Sequence, residues 1–243
     1  MHRSALSNTL QTIDGQDIGK HPLVCKLLKA IYNLRTPRPK YSAIWSADNV
    51  LENIKELGPS QTLTLKNLTL KSILLLALAC FARVSELSTI DFHSLNFTED
   101  QVSFSLMCPR KSQRSGPLIN FAIDCLPDDE LLCPVKYLRE YVTRTDCIRA
   151  MGSTGLFIAL KPPHQSVGKA TIARWIKEAL SAEGVDTSVY SAQSTRGAAA
   201  SQALESGVPC DRILAAAGWA RASTFHRFYK KRIDTGDITG HGL

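Results

Sequence analysis

The chain has 243 residues, 44% of them apolar, enough for one sizeable core and too apolar for a disordered polyelectrolyte. Twenty-nine lysines and arginines against 22 acidic residues give a formal charge of +7, which favours a polyanionic partner, nucleic acid or an acidic membrane surface. Seven cysteines without a C-x-x-C pair or a Cys/His ligand spacing argue against a zinc site, and the longest apolar run, Ile73–Ala82, is too short to span a bilayer.

Residues 1 to about 20 are polar and patternless, lack the apolar core of a signal peptide, and are expected to form a flexible leader. His21–Arg35 has helical spacing, with Val24, Leu27, Leu28 and Ile31 on one side and Lys26, Lys29 and Arg35 off it. "TPRPKY" breaks that helix into a stiff basic connector. Ser46 then caps a helix whose Val50, Leu51, Ile54 and Leu57 point inward, and Gly58-Pro59 stops it. A domain boundary is expected near Gly58. Beyond it, "LTLKSILLLALACFARVSEL" is apolar nearly all round over Ile73–Ala79 and predicts a central buried helix.

Gln101–Cys108 alternates, with Val102, Phe104 and Leu106 on one face, and Leu118–Ile123 is a second short strand. Between them, "PRKSQRSGP" predicts a basic hairpin tip carrying Arg110, Lys111 and Arg114. Two amphipathic helices follow, "CPVKYLREYVTRT" and "GKATIARWIKEALSAEG". From Arg196 the chain is helical in short pieces punctuated by Gly207, Pro209 and Gly218, and Ser223 caps a last helix, "TFHRFYKKRI". The fold class is α+β, mainly α, with one small antiparallel sheet or hairpin. Residues 1–57 read as leader, partial helical segment and linker, 58–233 as the main domain, and 234–243 as a polar tail.

One stretch asks for an anion. In "SAQSTRGAAA", Arg196 opens an alanine-rich helix after a run of small residues. A buried guanidinium there is costly unless something negative meets it. Arg83, Lys111 and Tyr229 add basic or hydroxyl-bearing side chains at three other points. Each alone is an ordinary surface or core residue.

Together they fall in a known order. "ARVSEL" resembles the "GLRxSEL" box of the tyrosine recombinase (phage integrase) family, "AQSTR" its "HxxR" box, "GW" its "GH/GW" box, and "FHRFY" its nucleophile helix. A hairpin lysine, Lys111, falls between the first two boxes, where that family has one. The resemblance runs from about Leu63 to Arg232. The wording of the motifs is most similar to recombinases of transposable elements of the DIRS, Ngaro and Crypton kinds.

The resemblance implies the catalytic-domain fold of that family, and DNA strand cleavage and rejoining through a 3′-phosphotyrosine. Arg83 and Arg196 would fork onto the scissile phosphate, as a lysine ammonium cannot. Lys111 would protonate the leaving 5′ oxygen, Trp219 would donate its indole N–H, and Tyr229 would attack. Arg110, Lys111 and Arg114 would contact DNA. No cofactor and no metal is expected, because the phosphotyrosine conserves the bond energy. The implied partner is double-stranded DNA, bound as a homo-oligomer, a tetramer, with no membrane and with the nucleus as the place of action.

Two positions depart from the family pattern. The first histidine is Gln193, which can hydrogen-bond a phosphate oxygen but cannot act as a base near pH 7. Tyr229 stands one position later than the commoner spacing from Trp219, a place held here by Phe228. The alternative reading is therefore a catalytically impaired DNA-binding protein descended from such a recombinase. The amino-terminal side also supplies only about two helices of what would be a DNA-clamping domain.

Overall fold

A computed structural model describes residues 2–13, 15–36, 40–111, 113, 115–219 and 222–234. The chain divides into two compact units, Met1–Lys40 and Tyr41–Leu243. The first holds α1 (His2–Thr9) and α2 (Pro22–Leu34). A helix at α1 replaces the expected patternless leader. In α2 the proline sits in the first turn, where its missing N–H costs nothing, and His21 accepts a hydrogen bond from Leu23 N. No residue of α2 is buried.

The second unit runs β1 (Ala43–Trp45), α3 (Ala47–Lys55), α4 (Leu65–Ala79), α5 (Val84–Leu87), β2 (Asn96–Phe97), β3 (Gln101–Ser105) and β4 (Asn120–Asp124). It continues through α6 (Pro134–Asp146), α7 (Lys169–Ala182), α8 (Ser194–Glu205), α9 (Cys210–Ala217), α10 (Ala222–Phe228) and β5 (Arg232–Asp234). The division falls at Tyr41 and not near Gly58, because Ile44, Trp45, Val50 and Ile54 are buried in the main core. Ser46 caps α3 as expected, accepting from Asn49 N at 3.2 Å.

Helix α4 is the axle of this unit. Leu68 and every residue from Ser72 to Leu78 are buried, and α6, α7 and α8 pack around it. From Ile73 to Leu78 every side chain is apolar, which permits burial on every side. β2, β3 and β4 form an antiparallel sheet, and Val102 and Phe104 of β3 point into the core.

The last expected helix is shorter than its pattern. It ends at Phe228, and Arg232–Asp234 pairs in parallel with Ala43–Trp45, Ile44 opposite Ile233. This second, two-stranded sheet joins the start of the unit to its end. The tail 235–243 lies outside the described residues.

Candidate functional site

Arg83 opens α5 directly after a sharp turn out of α4. Phe81 makes that turn with φ of +47°, a left-handed conformation that bulky residues rarely adopt. The turn aims the Phe81 carbonyl at Arg196, whose Nη1 donates to it at 2.9 Å. Arg196 lies in the first turn of α8, where Ser194–Ser201 are all buried. The turn packs closely: Ile44 Cδ1 and the Tyr229 carbonyl lie 3.9 and 3.8 Å from where a Cβ on Gly197 would be, van der Waals contact.

Glu86 ties the arginines together. Its carboxylate takes the Arg83 backbone N–H at 2.8 Å and the Arg83 Nη1. Arg110 forks onto both oxygens, Nε to Oε1 at 2.9 Å and Nη2 to Oε2 at 3.1 Å. Arg196 Nη1 stands farther off, 3.7 Å from Oε2. Three guanidiniums around one carboxylate leave an excess of two positive charges. The positive end of the α8 dipole adds to it.

Two buried donors in this cluster have no acceptor among the described residues: Arg196 Nε and Trp219 Nε1. Buried N–H groups are rarely left so. The Arg196 guanidinium, 0% exposed, lies 4.6 Å over the Trp219 ring and 5.6 Å from the Tyr229 ring centre. The Tyr229 ring lies tilted against Trp219, 4.4 Å between centres, and Phe225 stacks on the Trp219 ring at 5.3 Å. Gly218, at φ +63°, ends α9 and lets the chain swing Trp219 inward.

Burial pushes the Glu86 carboxyl up, but Arg110 and Arg83 outweigh it and hold its pKa below the ordinary value. Arg196 is pushed down to about 10, by burial first and Arg83 second, and stays a cation at neutral pH.

Arg83, Arg196, Trp219 and Tyr229 thus meet in one cluster. Gln193 borders it, its Oε1 accepting from Val84 N at 3.4 Å, a long bond. Lys111 is exposed in the loop after β3, and among the described residues no contact joins it to the cluster. Arg114 lies outside the described residues. Arg110 corrects the expected hairpin tip. It is 4% exposed, lies over the Phe121 ring, and donates to the Ala217 carbonyl at 3.1 Å. A basic loop composition reads as solvated, and only the fold reveals the carboxylate that draws Arg110 in. Glu86 was also missed as a hub, although its place three residues after Arg83 is a helix-capping position.

The sequence profile of the Phage integrase family matches residues 49–234. No curated protein matches the chain. Among solved structures, XerA recombinase superposes with a TM-score of 0.58 at 18% identity, covering 87% of this chain and 70% of that one. A pre-cleavage complex of the XerH site-specific recombinase bound to difH substrate gives 0.59 at 9% identity, with 96% and 59% covered. A lambda integrase dimer bound to a COC' core site gives 0.50 at 14%, with 97% and 61% covered. The chain therefore spans about three fifths of the XerH and lambda integrase chains, and at these identities the likeness is one of fold.

Proposed function

Because the chain belongs to the phage integrase family, we propose that it cleaves and rejoins DNA through a 3′-phosphotyrosine on Tyr229. One observation carries this reading. Arg196 Nε and Trp219 Nε1, the two orphaned donors, sit beside Tyr229 in a cluster with two surplus positive charges. A phosphodiester approaching in-line displacement brings extra negative charge and acceptor oxygens to such donors. Tyr229 Oη attacks the phosphorus and the P–O5′ bond breaks. The phenolic proton leaves to solvent, and Lys111, carried in by its loop, gives a proton to the 5′ oxygen. A 5′-hydroxyl attacking the phosphotyrosine then reseals the strand. The arginines and Trp219 supply the charge stabilisation, so the chemistry needs no metal.

Double-stranded DNA, a tetrameric assembly upon it, nuclear action and an origin in a mobile element of the DIRS, Ngaro or Crypton kind belong to the same proposal. The motif wording supports them. No described helix is long and apolar enough to cross a membrane.

Gln193 favours a second reading, a DNA binder that no longer cuts. Its amide has no titratable nitrogen and is engaged on Val84 N. A nicked suicide duplex separates the two. Wild type should give a denaturant-stable protein–DNA adduct and Tyr229→Phe none, with noncovalent affinity nearly unchanged. Tight binding with no adduct from wild type selects the binder. An adduct persisting in Tyr229→Phe moves the nucleophile elsewhere, first to Tyr190.

A further inference from the structure

Glu86 poses a problem for its own site. A carboxylate has the same two-oxygen face that a phosphate offers an arginine, so a mobile Glu86 would compete with DNA for Arg83 and Arg196. Something must hold it back.

Arg110 is built to do so. Its Nε and Nη2 take one Glu86 oxygen each, at 2.9 and 3.1 Å. Its own position is fixed from two other sides, by the Ala217 carbonyl at 3.1 Å and by the Phe121 ring. With the Arg83 N–H and Nη1 added, the carboxylate accepts four hydrogen bonds, its full capacity. Arg196, whose Nη1 and Nη2 donate to the Phe81 and Ala217 carbonyls, is left 3.7 Å from the carboxylate with Nε unused.

We propose that Arg110 is a positioning residue of the phosphate site: by holding both oxygens of Glu86 it keeps the carboxylate from closing on Arg196 and leaves the Arg196 Nε to the DNA. The proposal rests on the recombinase reading. Arg110 does not touch the reacting atoms. It acts through Glu86 and, through Ala217, through the turn that carries Trp219.

The test is a cycle of Arg110→Met, Glu86→Gln and the double variant, with Arg110→Lys as the conservative change. Single-turnover cleavage of a nicked suicide duplex is measured, with thermal unfolding as the check on folding. Arg110→Met frees the carboxylate and should slow cleavage about 10–100-fold, the scale of a misplaced catalytic group. The double variant removes the competitor as well and should recover most of that loss. Arg110→Lys should fall between, since an ammonium cannot fork onto two oxygens.

A pH profile adds a second readout. In Arg110→Met the rate should rise as pH falls toward the carboxyl range, because protonating Glu86 ends the competition; wild type should show no such rise. If Arg110→Met cuts as fast as wild type, or the double variant is folded and as slow as Arg110→Met, the clamp is overturned. If wild type forms no adduct, the cleavage reading fails by itself. The clamp is then read from duplex affinity by fluorescence anisotropy: weaker binding in Arg110→Met with recovery in the double variant supports it, and equal binding throughout overturns it.

Discussion

Gln193 is where chemistry and fold disagree. Its backbone stands at the threshold of α8, beside the arginine cluster, yet among the described residues the one hydrogen bond given for its side chain is the long one from Val84 N, 3.4 Å. A positioned acid–base group contributes about 10²–10⁴ in rate. Gln193→His should therefore raise single-turnover cleavage about tenfold or more and give it a titration near pH 6–7, the ordinary imidazole range. The wild-type profile should lack that titration. An unchanged rate and pH profile in a protein that cleaves would remove position 193 from the catalysis.

Elements that bury a full face were legible in the sequence, and those set by distant partners were not. α6 and α7 follow their apolar periodicity to within a residue or two, whereas the expected central helix, read through to Leu87, stops at Ala79, where the left-handed turn at Phe81 divides α4 from α5. α10 also departs from its pattern, because "KKRI" continues a helical pattern while its backbone is claimed by β1. Of the site, Arg83, Arg196, Trp219 and Tyr229 were readable from their order along the chain; Glu86 and Arg110 were not, since their meaning lies in each other. Gly218 gives this scale its sharpest test. A Cβ there would lie 2.6 Å from Arg110 Nη1, whereas at Gly207, with similar positive φ, it would meet nothing within 4 Å. Gly207→Ala should lose only the cost of a left-handed backbone, about 1–2 kcal/mol. Gly218→Ala should lose clearly more in thermal unfolding and should also slow cleavage. Equal losses would mean that Arg110 yields freely.

Across the whole molecule, one buried lysine links the start of the main unit to its core. Lys71 Nζ donates to the carbonyls of Ile54 at 2.8 Å and Gly58 at 3.3 Å, and it lies over the Tyr137 ring. Burial pushes its pKa down to about 8 from 10.5, against the pull of Glu183 and Asp129. Between those values the unfolded chain binds more protons than the folded one, so this residue adds stability as pH rises. Cys80, pushed up by burial to about 12 from 9, acts in the opposite sense above pH 9. The Lys71 contribution should thus appear in the unfolding midpoint between pH 8 and 9, as a gain that wild type shows and Lys71→Met lacks. Identical slopes in the two proteins would refute it.

Tyr229 is moored on both sides by its own chain. Ser201 Oγ donates to the Tyr229 carbonyl at 3.0 Å and accepts from Lys231 N at 3.1 Å, and β5 follows at once, zipped to β1. On the proposed reading, a tyrosine whose backbone is held this way has little slack with which to reach a neighbouring copy, and each copy would cut with its own nucleophile. Mixing Tyr229→Phe with Arg196→Gln should then fail to complement: neither partner can lend what the other lacks, and the mixture should yield no more adduct than the two proteins apart. Restored cleavage in the mixture would mean that the mooring lets go on DNA and that the nucleophile is shared between copies.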